Sequence, residues 1–328
     1  MRAQPWLQSP WRAAAEAWIH SALADAGLAV AGPISECHRR SWSVVLQVPT
    51  TSGLCYFKAP TESLAHECRQ LEILSRLEPA LTAQLIRIES ALGWSLCHDA
   101  GTPLGSVLDL RESLAQWRRF LPIYGRFQCQ SAPCSWQLLA AGTFDRRQHL
   151  LAAQLERLLE EMSAFAFPES LTPAELVSCR QWAPRLSEYA LELTGIGVPE
   201  MIQCDDLHGW NVYRGPDGYR VIDWGDACIT HPFGSLMVLE RRLADHLGIA
   251  TDHHDLLELR RAYLEVFQAY APPDRLDRAA ELALWSAPLV KALTWHQTLC
   301  AGGEAAYLAR GASVSSWLRT WLQAAPPA

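Results

Sequence analysis

The chain has 328 residues, 49% of them hydrophobic, and a formal net charge of -7. That is enough apolar material for one large domain or two lobes with a buried core. The acidic balance excludes a sequence-independent grip on nucleic acid, which requires clustered Lys and Arg, and favours a cationic or neutral small molecule over a polyanion as partner.

In chain order, residues 10–26 read as a helix. Ser9 is placed as N-cap, Pro10 at the first helical position, and Gly27 is the stop. Three strand-like runs follow, Ile34–His38, Ser43–Val48 and Leu54–Lys58, the last two separated by a turn-rich Pro49–Gly53. They open a small antiparallel sheet. Leu64, Cys68, Leu71 and Leu74 recur at helical spacing across Glu62–Leu77, and Gln84–Ser90 and Gly93–Cys97 read as two more strands. His98–Pro103 is a connector. Beyond it the periodicity is almost wholly helical, near 110–128, 136–141, 147–163 and 173–193, and again near 235–247, 253–270, 275–300 and 304–322. Pro288 is expected to kink or split the third of these last helices.

The N-terminal residues have no uninterrupted apolar core of signal-peptide type. No run of the chain approaches the length that spans a bilayer, so a cytoplasmic protein with no membrane contact is expected. Ten cysteines without a C-x-x-C pair read as free thiols in a reducing compartment. Cys129 and Cys134, spaced C-x4-C, are an alternative disulfide or shared metal-ligand pair.

Residues 201–226, MIQCDDLHGWNVYRGPDGYRVIDWGD, concentrate the chemistry. Asp206 and Asn211 stand in a D-x4-N spacing, and Asp223 follows a turn at Gly215–Gly218 and a strand-like run, Tyr219–Ile222. Phosphoryl transfer needs a carboxylate to orient the attacking hydroxyl and oxygen ligands to hold magnesium. The D-x4-N loop and Asp223-Trp224-Gly225, a D-F-G variant, supply both. An acidic surface loop followed by a hairpin is the plainer alternative, since Asp, Asn and Gly favour loops on conformational grounds.

Asp205-Asp206-Leu207-His208 with Asn211, Ile222-Asp223-Trp224-Gly225-Asp226-Ala227, and His231-Pro232-Phe233 together resemble the signature of the aminoglycoside phosphotransferase family. The wider relatives of that family include choline, homoserine and macrolide kinases. The resemblance implies an α+β, protein-kinase-like two-lobed fold, with a small antiparallel sheet in residues 1–98 and a mostly helical lobe in 99–328. It implies ATP (or GTP) and Mg2+ as cofactors, and transfer of the γ-phosphoryl group to a small-molecule hydroxyl by a monomer or homodimer. Asp206 is then the catalytic base, and Asn211 and Asp223 are the metal ligands.

Lys58 is one of only two lysines among 28 basic residues, the other being Lys291. A compact ammonium fits between phosphate oxygens where a forked guanidinium would not, so Lys58 is the candidate phosphate-binding residue. The bland alternative is a solvent-facing strand end. Glu67 is its candidate partner, with Glu62 or Glu72 as alternatives in helix register. By resemblance, the backbone around Leu96 to Asp99 contacts the nucleotide base. The turn Arg39-Arg40-Ser41-Trp42 lacks glycine, leaving Ser41 or Ser43 to donate to a phosphate and Arg39 or Arg40 to lie over it.

Three positions depart from the family's usual pattern: Cys204 replaces His, and Asp205 and Trp210 each replace Gly, which restricts positive φ. Ser235 stands where the family often has Asp. These departures keep two other readings open, a catalytically silent nucleotide-binding protein and a metal-dependent hydrolase built on Asp205, Asp206, His208 and Asp223. The hydrolase reading leaves Lys58 and Asn211 without a task. For the acceptor, Glu240, Asp245, Asp252, Asp255 and Glu258 are possible acidic contributors, and Trp285 and Trp295 possible stacking platforms, with core packing as the default for tryptophan.

Overall fold

The structure, a computed structural model, describes residues 4–8, 10–165 and 167–327, without the side chains of 301–303. Ser9, the expected N-cap, lies outside the described residues. In chain order the first elements are α1 (Trp11–Asp25), β1 (Ser35–Arg39), β2 (Ser43–Thr50), β3 (Gly53–Pro60), α2 (Glu67–Leu77), β4 (Leu85–Glu89), β5 (Trp94–His98) and β6 (Thr102–Pro103). Then come α3 (Leu110–Ser131), α4 (Ser135–Ala141), β7 (Phe144–Asp145), α5 (Leu151–Met162), α6 (Pro173–Ile196), β8 (Met201–Gln203), β9 (Val212–Gly215) and β10 (Gly218–Val221). The chain ends with β11 (Cys228–Thr230), α7 (Ser235–Leu247), α8 (His254–Leu264) and α9 (Pro273–Gln323).

Contacts divide the chain into two units. One comprises residues 1–102 and 213–225, the other 103–212 and 226–328. The sequence places the divide at 98/99; the contact division also groups 213–225, with Asp223, into the sheet-bearing unit.

In the first unit, five strands form an antiparallel sheet in the order β1-β2-β3-β5-β4. Period-2 alternation sends Val44, Leu46 and Val48 of β2, and Cys55, Phe57 and Ala59 of β3, to one face. There they meet Trp11, Ala15, Ile19, Ala22 and Leu23 of α1. Phe57 and Trp94 anchor this core edge to face, their rings 5.3 Å apart. The same alternation turns Lys58 to the opposite face.

The second unit is mostly helical, with a three-stranded sheet in the order β7-β11-β8. Its central element is α9, a single helix of 51 residues. The expected separate helices, 275–300 and 304–322, are thus one, and Pro288 does not split it. A proline inside a helix forfeits a hydrogen bond at a cost of about 3 kcal/mol, but the surrounding stretch is buried on every side. Ala280, Leu282, Ala283, Ala287, Leu289 and Val290 are each at most 1% exposed, and packing of that extent decides the conformation.

Other boundaries shift for local reasons. Residues 62–64 form a separate 3-10 turn before α2, and α5 starts at Leu151 after a similar turn. The helix expected at 253–270 closes at Leu264, followed by a 3-10 turn. The helix expected to end at 193 runs to Ile196 and is stopped by Gly197 in the left-handed conformation. Among the described residues, no helix is long and apolar enough to cross a membrane.

Candidate active site

Two clusters of functional side chains form, one in each unit. In the sheet-bearing unit, β3 presents Lys58 toward the first turn of α2. Its Nζ lies 2.8 Å from Oε1 and 2.7 Å from Oε2 of Glu67, so Glu67 is an ion-pair partner of Lys58. Glu72 instead pairs with Arg76 at 2.7 Å. The same ammonium donates to Asp223 Oδ1 at 2.5 Å. Burial pushes the lysine toward neutrality, but the Asp223 and Glu67 carboxylates override it and hold the pKa above the usual lysine range.

Asp223 is delivered by the β9–β10 hairpin. Val221 N–H donates to the Leu81 carbonyl at 2.7 Å, fixing the end of β10. The buried Trp224 ties back through its indole N–H to the Val221 carbonyl at 3.0 Å. Between them Asp223 adopts φ 61, one of two non-glycine residues at positive φ among those described. Such a backbone costs an ordinary residue free energy and clusters at functional sites. Gly225 has a steric reason as well: a Cβ there would stand 3.0 Å from Glu67 Oε2.

In the helical unit, the loop after β8 carries Asp206, His208 and Asn211. The Asn211 side-chain amide donates to the Asp206 carbonyl at 3.0 Å, which leaves its side-chain oxygen as the ligand-capable atom. Trp210 N–H donates to His208 Nδ1 at 3.1 Å, so the ring proton sits on Nε2, 3.3 Å from Asp206 Oδ2. His208 thus braces the loop. Gly209 lies so close to Gly105 that a Cβ would come 2.7 Å from the Gly105 nitrogen, which donates to the Gly209 carbonyl.

The residue that sequence reasoning missed is Lys291, on α9. Its Nζ lies 3.2 Å from Asp206 Oδ1, 3.2 Å from Asp226 Oδ2 and 3.9 Å from Asp205 Oδ2. Burial pushes Asp206 toward protonation, but Lys291 and His208 more than offset it and hold this carboxyl well below the usual range. Burial pushes the fully enclosed Asp205 up to about 7, against the pull of Lys291. Lysine scarcity was the available signal, since both lysines of the chain end up beside a motif aspartate.

The departures from the family pattern have local accounts. Neither Asp205 nor Trp210 has positive φ, so neither position needs glycine here. Cys204 is buried, and its N–H donates to the Tyr124 hydroxyl at 2.9 Å. Tyr124 in turn lies 3.0 Å from Ser235 Oγ, so Ser235 supports the loop through the tyrosine.

The remaining expected residues are placed as follows. Ser41 is exposed in the β1–β2 turn, and the neighbouring Arg39 is engaged by Glu36 at 2.6 Å. Leu96 is fully buried in the sheet core, its strand paired on both sides, so its side chain serves packing. Asp99 is exposed and caps the connector by accepting the Gly101 N–H at 3.1 Å. Trp285 is core, its ring packed at tilted or edge-on angles against Trp182, Tyr189 and Trp321.

No protein-family model matches the chain, and no curated protein matches it in sequence. Solved structures do match. A macrolide 2'-phosphotransferase from Brachybacterium faecium aligns over 95% of this chain and 99% of its own at 18% identity, with a TM-score of 0.57. A choline kinase from Cryptosporidium parvum aligns over 89% and 88% at 11% identity, TM-score 0.58. The GDP and kanamycin complex of APH(2")-IIia aligns over 89% and 94% at 13% identity, TM-score 0.54. The chain has the α+β, protein-kinase-like fold shared by these aminoglycoside and macrolide phosphotransferases and choline kinases.

Proposed function

We propose that the chain is a small-molecule kinase that transfers the γ-phosphoryl group of ATP or GTP to a hydroxyl. The observation that carries this reading is the Lys58 ammonium held between Glu67 and Asp223, the lysine–glutamate pair and metal-ligand aspartate that phosphoryl transfer requires. Lys58 neutralises charge on the α and β phosphates. Asp223, whose side chain is 52% exposed, and Asn211 offer the hard oxygen donors that suit Mg2+. When bound, the ion shields the phosphate charge.

Asp206 receives the acceptor hydroxyl, orients it for attack on the γ-phosphorus, and takes its proton late. A carboxylate held this acidic is a weak base for an alcohol, so its work is orientation more than early abstraction. The connector 98–103 is the proposed base-binding segment, through its backbone, and Ser41 the proposed phosphate donor from the β1–β2 turn. GTP stays beside ATP because two structural neighbours were solved with GDP. A cytoplasmic setting accords with ten free thiols.

The acceptor is neutral or singly charged. Of the acidic residues considered for a polycation site, Glu240 is neutralised by Arg260 at 2.6 Å and Glu258 by Arg118. Asp245 shares a cavity of about 410 Å³ beside the catalytic loop with Arg242 and His246, where no single sign dominates. The test is nucleoside diphosphate release with Mg2+ across a library of hydroxyl acceptors. Release that disappears in Asp206→Ala supports the kinase; a nucleotide-induced rise in melting temperature with no release from any acceptor supports the silent binder instead.

A further inference from the structure

Lys291 lies within Ala287-Pro288-Leu289-Val290-Lys291-Ala292-Leu293, in the most enclosed part of α9, and its side chain is 4% exposed. A hydrophobic residue of similar length would pack there without the desolvation a buried ammonium incurs, so the charge is retained for what it touches. It touches the carboxylates of Asp206 and Asp226 at equal distance and stands farther from Asp205. Asp206 is gripped from two sides: Oδ1 by Lys291, Oδ2 by His208. The carboxylate is still 34% exposed, so it is fixed from behind and open in front.

We propose that Lys291 is a positioning residue for phosphoryl transfer, a cation delivered by the C-terminal helix to fix the Asp206 carboxylate in the orientation that receives the acceptor hydroxyl. This rests on the kinase reading above. Each of the chain's two lysines then serves one motif aspartate, Lys58 serving Asp223 and Lys291 serving Asp206. The bland counterpart is that Lys291 merely neutralises Asp226 and Asp205 in the interior.

The test compares Lys291→Met, Lys291→Arg and the double variant Lys291→Met/Asp226→Asn, which removes one charge of each sign and so guards against a misfolded single variant. The expected result is a fall in kcat on the order of 10²-fold in Lys291→Met and in the double variant, with the nucleotide KM unchanged and partial recovery in Lys291→Arg. A double variant with wild-type kcat would overturn the proposal and leave Lys291 a charge neutraliser.

A readout without turnover separates the two claims. Crystal structures of wild type and Lys291→Met are expected to show the Asp206 carboxylate turned away, in the variant, from the place it holds between Lys291 and His208 in wild type. An unmoved carboxylate overturns the proposal. If the carboxylate moves as expected while wild type transfers phosphate to no acceptor, the kinase reading falls and the Lys291–Asp206 coupling stands.

Discussion

Asp205→Asn gives a stability prediction whose size follows from one buried group. The Asp205 carboxyl is fully enclosed, 2% exposed as a residue, and accepts from Gln203 Nε2 at 3.0 Å. Burial carries its pKa from 3.8 to about 7. The folded value therefore lies above the unfolded one. Between those values the folded chain keeps a proton that the unfolded chain has released, so the stability contribution declines as pH rises through that window. By linkage the penalty is about 2 kcal/mol at pH 5 and about 4 kcal/mol at pH 8. Asparagine keeps the shape of the neutral carboxyl and its acceptor oxygen at every pH. The advantage of Asp205→Asn over wild type should therefore grow by about 2 kcal/mol from pH 5 to pH 8. Urea unfolding followed by tryptophan fluorescence at the two pH values measures it. A variant less stable than wild type at pH 8, or a difference that does not change with pH, would show that Asp205 is ionised and needed by Lys291, and would refute the reasoning.

Three further outcomes are expected. Lys58→Met should raise the dissociation constant for Mg-nucleotide by roughly 10²-fold, about 2.7 kcal/mol, by calorimetric titration; unchanged affinity would remove Lys58 from the phosphate site. Gly225→Ala should weaken the same binding about tenfold, because its Cβ would press on Glu67 Oε2 at 3.0 Å and shift the carboxylate from Lys58; a crystal structure of the variant would show the displaced pair. Phe57→Ala, which empties the centre of the core between the sheet and α1, should cost about 3–5 kcal/mol in denaturant unfolding.

The parts of the site legible in sequence are those specified by short-range spacing. Asp206 and Asn211 share one loop, Asp223 follows one hairpin, and Lys58 and Glu67 are nine residues apart. Lys291 is 85 residues from Asp206, and a contact that long is set by the docking of α9, which no local pattern encodes. Its trace in the sequence is its scarcity: it is one of two lysines in the chain, set in an apolar run. The unbroken α9 was missed for a related reason: Pro288 and the glycines at 302 and 303 argue locally for breaks, and burial around 279–293 outweighs them. Cys204 and Ser235 are likewise joined by a long-range contact, since Tyr124, some 80 residues upstream of Cys204, hydrogen-bonds to both.

The central claim is that Asp223 and Lys58 bind Mg-nucleotide while Asp206 acts only in transfer. Measuring both Mg-nucleotide affinity and transfer of a labelled γ-phosphoryl group in wild type, Asp206→Asn and Asp223→Asn tests it most directly. The account predicts that Asp206→Asn binds as wild type does but transfers slower by about 10²–10⁴-fold, and that Asp223→Asn loses Mg-dependent binding. Wild-type transfer by Asp206→Asn, or Mg-nucleotide binding unaffected in Asp223→Asn, would contradict it.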